Sequence, residues 1–300
     1  MSEIANKIEV VIFGIEIYVN RQGGVPMHSL SAENLTLGYG DTVIIDDLNI
    51  EVPKGEITVF IGGNGCGKST LLRSLARLLK PKTGDIYLNG EEIAKMKSKE
   101  IAKKMAILPQ SPVSPEGLTV YELVKQGRHP YRSLIKQWSK KDEDAVTRAL
   151  ESTNMFHLKD RAVDSLSGGQ RQRAWISLTL AQETDIILLD EPTTYLDMTH
   201  QIEILDLLYD LNEQKGHTIV MVLHDLNLAS RYAHHIVAVK DKQVYSQGRP
   251  EDIITCQLVK DVFQMNCNIT CDPIFGTPVC VPHGKGRTVY PRQNQKVASV

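Results

Sequence analysis

A strand-like run, "EITVFIG", leads into Gly62-Gly63-Asn64-Gly65-Cys66-Gly67-Lys68-Ser69, and the helix-forming run "STLLRSLARLL" comes directly after it. Glycine, four residues, then Gly-Lys-Ser, set between a strand and a helix, is the spacing of a phosphate-binding loop. Glycines let the backbone amides wrap an anion, and the helix N-terminus adds partial positive charge. In this reading Gly62 to Gly67 and Thr70 cradle a nucleotide, Lys68 reaches its β- and γ-phosphates, and Ser69 ligates Mg²⁺. A purely structural glycine turn has no use for Lys68 followed by Ser69. The motif alone does not separate kinases, GTPases and ATPases.

Three further stretches carry chemistry. "IILLDEP" is a short buried strand ending in Asp190 and Glu191, at the sheet edge where open α/β folds bind ligands. Asp190 is placed to hold the Mg²⁺ shell, and Glu191 to activate an attacking water. "MVLHD" ends another such strand at His224, which emerges near the same phosphates, although spacing alone does not lift it far above the other histidines. Finally, Ser167-Gly168-Gly169-Gln170 precedes a helix and offers amides and a hydroxyl to an anion. Taken alone, it reads more simply as an N-cap with glycines for close packing.

The elements that must position these residues form an α/β pattern. From Ser29 to the loop the chain reads as short strands separated by Gly40-Asp41 and Pro53-Lys54-Gly55. "GDIYLNGEEI" adds a hairpin strand after the first helix, which is expected to span residues 69–79. Residues 111–165 change character: a helix starts near Thr119, and a charged amphipathic one begins after Ser139 with acidic residues in its first turns. After Ser167 strands and helices alternate again, with a helix ending at Gly216, a hairpin through Asp241-Lys242, and a helix then irregular strands beyond Glu251. The expected fold is α/β: a P-loop nucleotide-binding core with a mainly parallel sheet, an antiparallel β part and a helical insertion.

Composition narrows the field. With 34 Lys and Arg against 36 Asp and Glu, the net charge of -2 argues against nucleic acid as a partner. The longest apolar run, "VVIFGIEIYV", is too short for a membrane span and carries Glu16. Five cysteines without a CxxC pair read as reduced thiols in a cytosolic protein, and a metal site from Cys267, Cys271 and Cys280 is the minor alternative. Residues 1–26 look unlike the rest. Gln22-Gly23-Gly24 is compatible with codons containing a ribosome-binding site two codons before Met27, so these residues read either as a translated leader or as an extra strand.

In this order the four motifs resemble the ATP-binding-cassette ATPases, with "LSGGQRQR" about one helix ahead of "IILLDEP" the most specific part. The resemblance runs from about Ser29 to Gly248. Within the family, "LSGGQRQRAWISLTLAQ", "LLDEPTTYLDMTHQIEILDLL", "VLHDLNLASRYAH" and "PEGLTVYELVKQGRHPY" are similar to the ATPase subunits of bacterial iron–siderophore importers, with cobalamin importers as near relatives. The resemblance implies that Tyr39 stacks on adenine, and that Gln110 senses the γ-phosphate and Mg²⁺. It further implies that His224 contacts the γ-phosphate, that Asp197 belongs to a loop crossing a dimer interface, and that Ser167 to Gln170 contact ATP held by another copy.

The expectation is therefore a homodimer that clamps two ATP and Mg²⁺. It would lie at the cytoplasmic face of a bacterial membrane, bound to two permease subunits that an external binding protein serves. The ATPase domain would span 29–248, with a helical part at about 111–165 gripping the permease, an extension at 1–26, and another at 249–300. A cobalamin, haem or metal-ion importer, or a soluble non-transport cassette, are the alternatives. The loop departs from the family in Gly63 and Cys66, where Pro and Ser are common. A bulky adduct on Cys66 is expected to block nucleotide.

Overall fold

The computed structural model describes residues 7–12, 15–20, 28–132 and 138–285. Strands β1 (Lys7–Ile12) and β2 (Ile15–Asn20) pair antiparallel, in keeping with the strand composition of that stretch. Whether it is a leader is a matter outside the described geometry.

The antiparallel part begins at β3 (His28–Tyr39) and β4 (Thr42–Pro53), joined at Gly40-Asp41. Strand β5 (Ile57–Ile61) comes next, buried along its whole length, then α1 (Lys68–Leu75), β6 (Thr83–Leu88) and the two-residue β7 (Glu91–Glu92). The sheet order is β4-β3-β6-β7. Its inner face, with Leu30, Leu35, Leu37, Ile45, Ile50 and Ile86, packs with Leu71, Leu72 and Leu75 of α1 and Phe60 of β5 in one core. Helix α1 is shorter than its sequence suggests. The apolar pattern continues to Leu79, yet Arg77 takes a left-handed backbone (φ 57°) and its guanidinium donates to the Met96 carbonyl at 2.6 Å. The left-handed Arg77 closes a turn in which its amide donates to the Ser74 carbonyl and the Leu78 amide to the Arg73 carbonyl (each 2.8 Å), and Leu78 is left 64% exposed.

Helix α2 (Ser98–Lys104) and β8 (Met105–Leu108) lead to the helical part. Thr119 caps α3 (Val120–Lys125) and Ser139 caps α4 (Lys140–Ser152), each reciprocated by an acidic residue three positions on. Ser167 caps α5 (Gly168–Ala181). Val120, Leu123, Val146 and Leu150 form a second core with Ala174 and Ala181 of α5, while Ile176 of α5 faces the main sheet. One helix thus serves both cores.

The remaining elements are β9 (Ile186–Leu189), α6 (Met198–Lys215), β10 (Thr218–Val222), α7 (Leu226–Tyr232), β11 (His235–Lys240) and β12 (Gln243–Gly248). The large sheet has the order β12-β11-β5-β10-β9-β8, parallel except for β12. Strands β5, β9 and β10 are buried on both faces, which explains their unbroken apolar runs. Each buried Ile, Leu or Val there contributes about 1.5–3 kcal/mol. Helices α8 (Pro250–Ile253) and α9 (Cys256–Phe263) and the hairpin β13 (Cys267–Cys271) and β14 (Pro278–Pro282) complete the described chain. The hairpin is tied to α7, because the Asn227 side chain donates to the Cys280 carbonyl (3.2 Å) and accepts from its amide (2.8 Å). Cys267 and Cys280 are buried, and burial with the Cys280 and Cys256 thiols beside it pushes the Cys267 thiol up to about 12. Among the described residues no group of three or more His, Cys, Asp or Glu could hold a metal, and no helix is long and apolar enough to cross a membrane.

Candidate functional site

Three adjacent parallel strands end at one edge of the sheet. The register Phe60↔Val222 and Leu189↔Met221 brings the C-terminal ends of β5, β10 and β9 level. Strand β5 runs into the Gly62–Gly67 loop, β10 into His224, and β9 into Asp190-Glu191. The sheet thus converts three distant sequence motifs into one site.

The loop needs its glycines for different reasons. Gly62, Gly65 and Gly67 have φ of 150°, 76° and 104°. A Cβ on Gly67 would also lie 2.7 Å from the Ile45 side chain. Lys68 is buried, and its ammonium donates to the carbonyls of Gly62 (2.8 Å) and Gly63 (2.9 Å) and touches Cys66 Sγ at 3.7 Å. An adduct on Cys66 therefore meets the lysine directly.

The carboxylates differ in environment. Asp190 is buried: Oδ1 accepts from Ser69 Oγ at 2.7 Å, and Oδ2 has no partner. Burial pushes its pKa up, with only partial offset from the Ser69 bond and Arg73. Glu191 holds a left-handed backbone (φ 55°) and three side-chain partners. Gln110 Nε2 donates at 2.6 Å and Thr194 Oγ1 at 2.9 Å, both to Oε2, and His224 Nε2 sits 2.7 Å from Oε1. Burial raises its pKa, but the bonds from His224, Thr194 and Gln110 outweigh that and hold it low. A cleft of about 510 Å³ collects Ile44, Asn64, Gly65, Gly67 to Thr70, Gln110, Glu191, Thr194, Tyr195 and His224.

Tyr39, Ser167 to Gln170 and Asp197 are not among the residues lining that cleft. Tyr39 ends β3 with its ring half exposed. Ser167 and Gly168 are exposed, and Ser167 spends its hydroxyl and amide on Gln170 in a capping box (3.3 and 3.2 Å). Asp197 caps α6, accepting from the His200 amide at 2.9 Å and ring at 2.8 Å. Those bonds, the amide first, lower its pKa. The single-chain cleft thus takes up the loop, Gln110, Glu191 and His224, and leaves Ser167 and Gly168 exposed elsewhere.

Residues 45–194 match the family described as ABC transporter. The chain belongs to the ABC transporter family. Over 263 residues it is 70% identical to the probable siderophore transport system ATP-binding protein YusV of Bacillus subtilis, covering 88% of this chain and 96% of that one. Over 261 residues it is 67% identical to the petrobactin import ATP-binding protein FpuD of Bacillus anthracis, covering 87% and 96%. The dimeric, post-hydrolysis structure of the ATP-binding cassette MJ0796 bound to ADP and Pi matches with a TM-score of 0.65 at 29% identity, over 73% of this chain and 98% of that one. Two residues of this ABC ATPase escape motif reading. Thr194 is a direct partner of Glu191, and only its place in "DEPTTYLD" could have suggested it. His200 packs against Gly169 and fixes Asp197, a contact between two helix starts that no spacing reveals.

Proposed function

We propose that this chain is the ATP-hydrolysing subunit of an ABC importer for iron–siderophore complexes. It works as a pair of copies at the cytoplasmic face of a bacterial membrane, beneath two permease subunits that an external binding protein supplies with cargo. The observation that carries the hydrolytic reading is Glu191, a carboxylate held ionised and aimed by three partners at the edge of the loop cleft.

In this reading ATP lays its phosphates over Gly62–Gly67, with the ring of Tyr39 stacked on adenine. Lys68 turns from the loop carbonyls to the β- and γ-phosphates, exchanging neutral acceptors for charged ones. Glu191 takes the proton of the attacking water as general base. Gln110 and His224 sit on the two oxygens of that carboxylate, so each can contact the γ-phosphate without leaving the site. Mg²⁺ prefers a few protein oxygens and keeps several waters. The Ser69 hydroxyl, the unpartnered Asp190 Oδ2 and the Gln110 amide oxygen fit that preference and would hold it. When bound, the ion neutralises charge building on the phosphate oxygens.

Ser167–Gln170 and Asp197 lie outside the cleft, which favours their use against a nucleotide held by another copy. Two copies then close over two ATP, and hydrolysis reopens them. The helical part and the segment around Gln110 grip the permease, so closing moves the membrane subunits.

The cargo assignment rests on the likeness to the siderophore and petrobactin import proteins. Growth of a deletion strain on a panel of siderophores as sole iron source tests it, with complementation by the wild type and by Glu191→Gln. Loss of growth on at least one siderophore, restored only by the wild type, is the expected result. Unimpaired growth on all of them, or loss of cobalamin use instead, overturns it.

A further inference from the structure

Among the described residues Arg128 is the largest side chain that is fully buried, at 1% exposure. It lies in the stretch "PEGLTVYELVKQGRHPY", where the sequence reading gave it no role of its own. Its Nε donates to Asp142 Oδ1 of α4 at 3.0 Å, and its Nη1 donates to the Ala181 carbonyl and to Glu183 Oε2, each at 2.8 Å. The guanidinium also stacks on the Tyr131 ring, 4.0 Å from its centre, and Tyr131 Oη donates to the Gln182 carbonyl at 2.9 Å. Two end-of-helix carbonyls of α5 thereby find partners. Gly127 lies so close to the Leu178 carbonyl that a side chain there would collide with it. On the opposite side, the Gln182 amide donates to the carbonyls of Ala102 and Met105, where β8 sets out towards Gln110.

We propose that Arg128 is the positioning residue for the start of α5. By clamping the far end of that helix between α4 and the sheet, it sets where Ser167–Gln170 meet the nucleotide of another copy. This rests on the two-copy reading above. Helix α5 has 14 residues, a rod of about 21 Å at 1.5 Å per residue. Its start is held by the Ser167–Gln170 box, by Arg171 donating to the Asp164 carbonyl at 3.2 Å, by Gly169 against His200 and by the Arg173–Glu203 pair at 2.8 Å. The direction of the rod is therefore set at both ends, and Arg128 sets the far one. A misplacement of about 1 Å can cost on the order of 100-fold in an aligned site. Buried ion pairs add little net stability, because desolvation offsets their attraction. What a planar guanidinium adds over an apolar filler is a fixed geometry among three partners.

The test is a double-mutant cycle on ATP-driven dimerisation in the Glu191→Gln protein, read by sedimentation, with fluorescent-nucleotide binding by the monomer alongside. Arg128→Lys keeps the charge, so Asp142 and Glu183 are not stranded, but it loses the fork. It is expected to weaken dimerisation about tenfold while leaving monomer nucleotide affinity within about twofold. Ser167→Ala weakens dimerisation on its own. Independent sites multiply their losses. If Arg128 acts through Ser167–Gln170, the double variant loses no more than the worse single one. Multiplied losses, or a loss of monomer nucleotide binding that accounts for the dimer defect, overturn the proposal. Tyr131→Phe removes the hydroxyl's bonds to the Gln182 and Glu183 carbonyls and runs the same cycle should the lysine variant not fold. Undiminished dimerisation in that variant counts against the clamp. A Glu191→Gln protein that does not dimerise with ATP at all overturns the two-copy reading itself, and is recognisable as such before any Arg128 variant is made.

Discussion

Asp190 and Glu191 are neighbours with opposite electrostatics. Glu191 is partnered on both oxygens and held below the usual carboxylate range, whereas Asp190 is buried with one oxygen unpartnered and pushed above it. A carboxyl whose folded pKa exceeds its unfolded value contributes stability at low pH, and that contribution is lost as pH rises through the folded pKa. Keeping Asp190 as a carboxylate is therefore a cost that grows as pH rises. Asp190→Asn keeps an acceptor for Ser69 and removes the charge. It should raise the melting temperature of nucleotide-free protein at pH 7, with the gain shrinking on acidification. ATPase activity should fall at least 100-fold. Calorimetry at two pH values checks the sign, and a lower melting temperature at pH 7 would contradict this account of Asp190.

Strand ends were legible in the sequence because a parallel strand buried on both faces announces itself as an unbroken apolar run, and the residues just beyond it must emerge at the sheet edge. That logic brings the Gly62 loop, Asp190, Glu191 and His224 together from sequence alone. It fails where long-range packing decides. Helix α1 stops at Leu75 in a backbone turn through left-handed Arg77, a non-glycine there whose guanidinium is held by the Met96 carbonyl. The bond from Gln110 to Glu191 spans 81 positions, and Arg128 is held by partners on α4 and at the end of α5, 14 to 55 positions away. The starts of α5 and α6 show the same limit. An added Cβ on Gly169 would lie 2.9 Å from His200 Cγ, and His200 in turn holds Asp197. Alanine in a helix is worth up to about 1 kcal/mol over glycine, yet here the ring must move first. Gly169→Ala should bring no stability in the wild-type background and a gain of about 0.5–1 kcal/mol when His200 is also alanine. Equal effects in the two backgrounds, measured by denaturant melts, would show that the two helix starts are not coupled.

At the level of the whole molecule two anion-suited helix starts stand out among the described residues, and one of them opens into the loop cleft. The start of α1 opens into the cleft with Lys68, Gln110, Glu191 and His224, and the start of α5 opens elsewhere. Were both to serve the chain's own nucleotide, they would have to face one another, whereas α5 is held by the core it shares with α3 and α4 and by Ile176 in the core of the main sheet. A second copy removes the difficulty, because a two-fold partner can present its α5 start to this cleft and receive this chain's α5 start in return. Ser167→Arg separates the two arrangements. A long cation on an exposed cap displaces no core residue, so the fold and the cleft persist. Monomer affinity for a fluorescent ATP analogue should stay within about threefold of wild type, since no phosphate contact within the chain is lost. ATP-dependent dimerisation in the Glu191→Gln background should disappear, and turnover in the wild-type background should drop by about 100-fold or more, because the arginine occupies the space where the other copy's nucleotide must dock. Loss of nucleotide binding by the isolated monomer would place Ser167 in its own chain's site and refute the shared one.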